Sequence, residues 1–181
     1  MKKSMNNLAA IFCLVLLCSA IVLDSTTRVA AETSGLDGTY TLDEANSDNI
    51  NVVIDKAVAQ FNFLERHFAR EHLKKLNPAY HRVTIATSQN DVSVTVEDQA
   101  PVRAPAKGTP ITWTDPDGGK VNLSMRLAGS HLVQTFKSAD GGRVNDYTLS
   151  TDGRTLTMQV TETSPRLSQA IKYKQVYRRT S

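Results

Sequence analysis

The sequence predicts a mainly β fold, an antiparallel up-and-down β-barrel of about nine to ten strands with one long or broken helix after the first strand. Three observations carry this. From Val121 to Arg178, turn signals at Ala128-Gly129-Ser130, Ala139-Asp140-Gly141-Gly142, Thr151-Asp152-Gly153-Arg154 and Ser164-Pro165-Arg166 cut the chain into even pieces, and Asp-Gly pairs tolerate the positive φ of a tight hairpin. Between the turns apolar and polar residues alternate at period two, the period of a half-buried strand. Only one stretch, Asp48 to Leu76, has apolar residues in steps of three and four. So many consecutive antiparallel strands in a short chain must close on themselves or form two sheets, because an open sheet leaves long unpaired edges, and short turns favour closure.

Taken in order, Met1 to Ala31 reads as a secretory signal peptide. Lys2 and Lys3 precede an apolar run from Leu8 to Leu23, shorter than the ~20 residues of a membrane span, and small residues end the segment at Val29-Ala30-Ala31. The folded domain is then 32–181, about 150 residues and one domain. Gly38 to Asp43 makes a first strand with Tyr40 and Leu42 on one face. A helix over about 48–76 follows, capped by Ser47 or Asp48, with Ile50, Ile54, Ala57, Phe61, Leu64, Phe68, Leu73 and Leu76 as its apolar stripe. As one rod it would be about 43 Å long, so a break is expected near Phe61-Asn62-Phe63, where Asn is a weak helix former and Phe63 lies off the stripe. Asn77-Pro78 stops it. Strands follow at Arg82 to Thr87, Val92 to Glu97, Pro110 to Thr114, Lys120 to Leu127, Leu132 to Lys137, Val144 to Ser150, Thr155 to Thr163 and Ala170 to Arg178. The Pro- and Ala-rich stretch Asp98 to Thr109 has room for a frayed tenth at an edge.

Composition narrows the function. Cys13 and Cys18 both fall in the expected leader, so the mature chain has no disulfide, thiolate metal site or cysteine nucleophile. Loss of Lys2, Lys3, Arg28 and Asp24 takes the formal charge from +3 to about +1, which gives no reason to expect nucleic acid as a partner. His67 and His72 are on different helix faces, and His131 lacks a visible partner for haem or metal, so no metal or other cofactor is expected. Asp115, Asp117, Asp140 and Asp152 serve as turn formers, and no hydrolase, metalloprotease or phosphate-loop motif occurs. An enzyme is not expected.

The chain resembles the calycins, the barrels that include lipocalins and cytosolic fatty-acid-binding proteins. Gly38-Thr39-Tyr40 sits where lipocalins have Gly-x-Trp, the helical segment follows strand one as the helical lid does in fatty-acid-binding proteins, and the chain ends on Val176-Tyr177-Arg178. It is also similar to secreted bacterial lipocalin-like proteins through Asn145-Asp146-Tyr147-Thr148 and Ser164-Pro165-Arg166-Leu167-Ser168. The resemblance implies a barrel that holds an apolar or amphipathic molecule, with Arg178 or Arg179 stacked over Tyr40 to close the base. Where fatty-acid-binding proteins hold a carboxylate with Arg-x-Tyr, this chain has Gln175 and Tyr177, so the charge-assisted pairing is missing and a neutral ligand is expected.

Alternation places Tyr173, Gln175 and Tyr177 inward on the last strand, with Gln134 and Tyr147 on the same inner surface beside Trp113. Either these groups satisfy one another as core, or they hold the polar end of a ligand whose apolar end Phe61, Leu64 and Phe68 cover. The function expected is an exported, periplasmic or extracellular, monomeric carrier of a small hydrophobic or amphipathic molecule. The alternative is a cell-envelope interaction or inhibitor module with a filled barrel. Arg66, Arg70, Lys74 and Lys75 make a basic helix face, explained by solvation and the helix dipole or by contact with a membrane surface.

Overall fold

The computed structural model describes residues 35–181, so the leader expected at 1–31 lies outside the described residues. The strands are β1 (Gly38–Leu42), β2 (Arg82–Thr87), β3 (Asp91–Val96), β4 (Val102–Pro105), β5 (Ile111–Thr114), β6 (Lys120–Ala128), β7 (His131–Ser138), β8 (Gly141–Leu149), β9 (Thr155–Thr163) and β10 (Ile171–Arg179). All neighbours are antiparallel, in the order β4-β3-β2-β1-β10-β9-β8-β7-β6-β5. The first and last strands pair, with Tyr40 opposite Arg179 and Leu42 opposite Tyr177, which distinguishes this barrel from a half-open sheet curled around a helix. The frayed tenth strand exists as β4. The ring is nearly closed where the chain turns after β4: Leu127 N–H donates to the Ala106 carbonyl at 2.8 Å and Gly108 N–H to the Met125 carbonyl at 2.8 Å.

Between β1 and β2 stand α1 (Ile50–Val58) and α2 (Phe63–Leu76). The expected break is real and has a cause: the Asn62 side chain accepts from Glu65 N–H at 3.0 Å and starts a new helix. α1 buries Ile50, Ile54 and Val58, but α2 buries only Leu73. Phe63, Leu64 and Phe68 are 85%, 70% and 73% exposed, so the single continuous buried stripe is corrected: the turn at Asn62 rotates that face to solvent.

The pair covers the barrel end that carries the β5–β6, β7–β8 and β9–β10 connections, hereafter the mouth. Lys75 reaches Asp117 at 3.3 Å, and the Gln60 carboxamide oxygen accepts from Ser168 N–H at 3.0 Å. At the opposite end, the base, Tyr40 donates to the Leu36 carbonyl at 2.7 Å and Arg179 lies 5.1 Å over the Tyr40 ring, donating to its hydroxyl. The stacking expected at the barrel base is thus made by Arg179. The wall is apolar within and polar without, the reverse of a membrane-spanning barrel: Leu156, Met158 and Val160 face in while Gln159, Lys172 and Lys174 face out.

One turn tests the geometry. Gly141 opens β8 at φ 146, and a Cβ there would overlap the Thr163 carbonyl oxygen of β9. Gly141→Ala is expected to destabilise the fold by about 1–3 kcal/mol in urea unfolding, while Gly153→Ala, with open space at φ 70, costs less.

Candidate ligand-binding site

Strand register arranges the interior in rungs. Nearest the mouth, Phe136, Arg143, Glu162 and Ile171 lie side by side across β7 to β10. The next rung holds Gln134, Asn145, Val160 and Tyr173, and the one below holds Leu132, Tyr147, Met158 and Gln175, with Leu156 and Tyr177 beneath. Of the residues expected to face inward, Gln134, Tyr147, Tyr173, Gln175 and Tyr177 do so and are buried.

These polar groups are organised. Gln134 Oε1 accepts from Asn145 Nδ2 at 2.9 Å and from the Tyr147 hydroxyl at 3.4 Å, and Gln175 Oε1 accepts from the Tyr177 hydroxyl at 3.1 Å. Both amides thereby have a fixed orientation and a satisfied oxygen. Among the described residues neither Nε2 makes a hydrogen bond, so each glutamine keeps its amide N–H groups available.

Sequence reasoning missed Arg143, Asn145 and Asn77. Arg143 donates through Nε to Asn145 Oδ1 at 2.8 Å, through Nη1 to Asn77 Oδ1 at 2.9 Å and the Leu76 carbonyl at 3.3 Å, and through Nη2 to the Tyr173 hydroxyl at 2.9 Å. Tyr173 in turn donates to Asn77 Oδ1 at 2.9 Å. The expectation of a neutral ligand assumed that no arginine points inward, and that assumption is corrected. Period two from Asn145 and Tyr147 already put Arg143 on the inner face, but its place after two glycines made it look like turn.

Trp113 stands at the mouth, edge-on to Phe136 with ring centroids 5.5 Å apart. Phe61 is partly buried against the core, whereas Phe68 lies on the solvent face of α2 and does not reach the interior. Tyr40, Leu123, Met125, Leu132, Leu156 and Tyr177 have no accessible surface, so no water-sized void adjoins them and the lower barrel is filled. A groove of about 420 Å³ reaches Phe136 and Arg143 from outside, past Gly142 and Pro165. His131 does have a partner, Asp146 at 2.5 Å, on the outer wall.

Burial pushes the Tyr147 and Tyr177 phenols above the ordinary tyrosine range, and Tyr173 and Tyr40 are raised by burial although Arg143 and Arg179 pull back. They act as neutral donors. A raised folded-state value means the stabilisation is present below the unfolded tyrosine pKa of about 10 and is lost as pH rises toward the folded values. Melting temperature is therefore expected to fall steeply above about pH 10, with phenolate absorbance rising on unfolding, and Tyr147→Phe should flatten the decline.

No family model matches the chain, and no curated protein matches it in sequence. Solved structures do match it. An abundant heat soluble (SAHS) protein from Ramazzottius varieornatus aligns with TM-score 0.56 at 10% identity, over 81% of this chain and 96% of its own. A fatty-acid-binding protein from brain tissue of Drosophila melanogaster aligns with TM-score 0.54 at 16% identity, over 80% and 99%. A fatty acid binding protein of Schistosoma mansoni, in complex with arachidonic acid, gives TM-score 0.50 at 20% identity, over 82% and 98%. At these identities the likeness is one of architecture, and with the barrel described above it gives the chain a calycin-like fold.

Proposed function

We propose that the protein is an exported, non-enzymatic carrier that holds a small apolar or amphipathic molecule with a neutral polar end inside the barrel. The observation that carries this is the pair of amide donors on Gln134 and Gln175 that make no hydrogen bond of their own, oriented by Tyr147, Asn145 and Tyr177 below the mouth rung. A ligand oxygen that accepts from one of these amides adds a hydrogen bond worth about 0.5–1.5 kcal/mol. The shared architecture with proteins named for fatty-acid binding supports the same reading. Entry is from the mouth, where Phe136 and Trp113 remain partly exposed, and the ligand's apolar end rests against these rings and Phe61. The exposed Phe63, Leu64 and Phe68 of α2, set among Arg66, Arg70, Lys74 and Lys75, form the face that meets an anionic lipid surface, although Arg70 already pairs with Asp55 and Lys75 with Asp117.

The filled lower barrel favours a second reading, a module that acts only through protein contacts. Titration with a neutral fluorescent long-chain alcohol separates the two. The carrier reading expects saturable uptake, weakened by about 1–3 kcal/mol in Gln175→Leu with the fold intact. A protein that takes up no lipid probe and captures a stoichiometric protein partner is the contact module. For the lipid surface, Phe68→Ser is expected to reduce co-flotation with anionic vesicles without lowering uptake of the free alcohol.

A further inference from the structure

We infer that Glu162 sets the charge selectivity of the interior site, by neutralising Arg143 from within and so turning away ligands with an anionic end. The inference rests on the carrier reading above and deepens it. Arg143 and Glu162 are direct partners across β8 and β9, and both side chains point into the mouth rung. They are 19% and 12% exposed, with Nη1 and Oε2 3.9 Å apart. That is close enough for charge compensation and too long for a hydrogen bond. Every hydrogen bond that Arg143 makes goes to a neutral acceptor: Asn145, Asn77, Leu76 and Tyr173. Glu162 is thus the carboxylate that balances it. Glu162 Oε2 itself is buried with no hydrogen-bond partner, so nothing else in the described chain holds that oxygen there.

An inward arginine alone would make the site attract acids. With Glu162 in place, a ligand carboxylate brought to Arg143 becomes a second negative charge beside the first, and like charges sharing one low-dielectric site disfavour each other. The Glu162 backbone is paired on both sides, to Arg143 and to Ile171, so its side chain stays rooted in the mouth rung. A hydroxyl or ester end escapes this repulsion and can use the free amide N–H groups deeper in the barrel.

The test compares dodecanoic acid with 1-dodecanol, near neutral pH, as competitors of the neutral fluorescent alcohol. Wild type is expected to bind the alcohol at least as tightly as the acid. Glu162→Gln keeps the shape while removing the charge, and should shift the affinity ratio toward the acid by about tenfold or more. Arg143→Gln should shift it the opposite way, and the double variant should return it toward wild type. Should Glu162→Gln fail to fold, Glu162→Ser also removes the charge and carries the same expectation. An acid-to-alcohol ratio that stays at the wild-type value in the folded single variants overturns the role of Glu162 while leaving the carrier reading intact. Failure of wild type to bind either compound overturns the carrier reading and this inference with it.

Discussion

The guanidinium of Arg143 is the point on which the site depends. Four of its N–H donors are spread over a neighbour on its own strand, the hydroxyl of Tyr173 on β10, and the carbonyl and side chain that end α2. A planar fork with fixed donor directions can hold three elements at once, which a lysine in the same place would not do. The α2 C-terminus needs such a donor, since its last carbonyls have no partners within the helix. Asn77 completes the junction, accepting from Arg143 and Tyr173 while its Nδ2 donates to the Leu73 carbonyl at 3.0 Å. The cap over the mouth and the polar interior are therefore one hydrogen-bonded unit.

That unit explains how a filled barrel can still be a carrier. Below the mouth, side chains such as Leu132, Met125 and Tyr177 pack without voids, at the density expected of a protein core. Near the mouth the packing loosens: Phe136, Trp113 and Ile111 are only partly buried, and α2 is held by a few polar contacts and Leu73. Elements with few buried apolar contacts open most readily, so the carrier reading puts ligand entry at the cap and the mouth-rung side chains.

Much of the architecture was legible in the sequence because it rests on local rules. Period-two alternation gave β6, β7, β9 and β10 within a residue and missed the first three residues of β8, Asp-Gly gave the hairpins, and Asn62 gave the helix break. The inner face followed from the same alternation, which placed Gln134, Tyr147, Tyr173, Gln175 and Tyr177 correctly. What escaped was set by contacts distant in sequence. Arg143 is 66 positions from Asn77 and 30 from Tyr173, and no spacing rule links them. The solvent-facing turn of Leu64 and Phe68 likewise depends on how α2 leaves α1, which apolar periodicity does not encode. Whether the interior is packed or hollow depends on summed side-chain volumes, which alternation leaves open.

In the carrier reading the side-chain N–H groups of Gln134 and Gln175 receive the ligand. Nitrogen-edited NMR of their carboxamide signals, during titration with 1-dodecanol, tests it most directly. Both pairs of N–H resonances are expected to shift in step with saturation and to become protected from exchange. Carboxamide signals that stay fixed while only resonances of α2 move would contradict it, leaving an interior that is core and a ligand that never enters it.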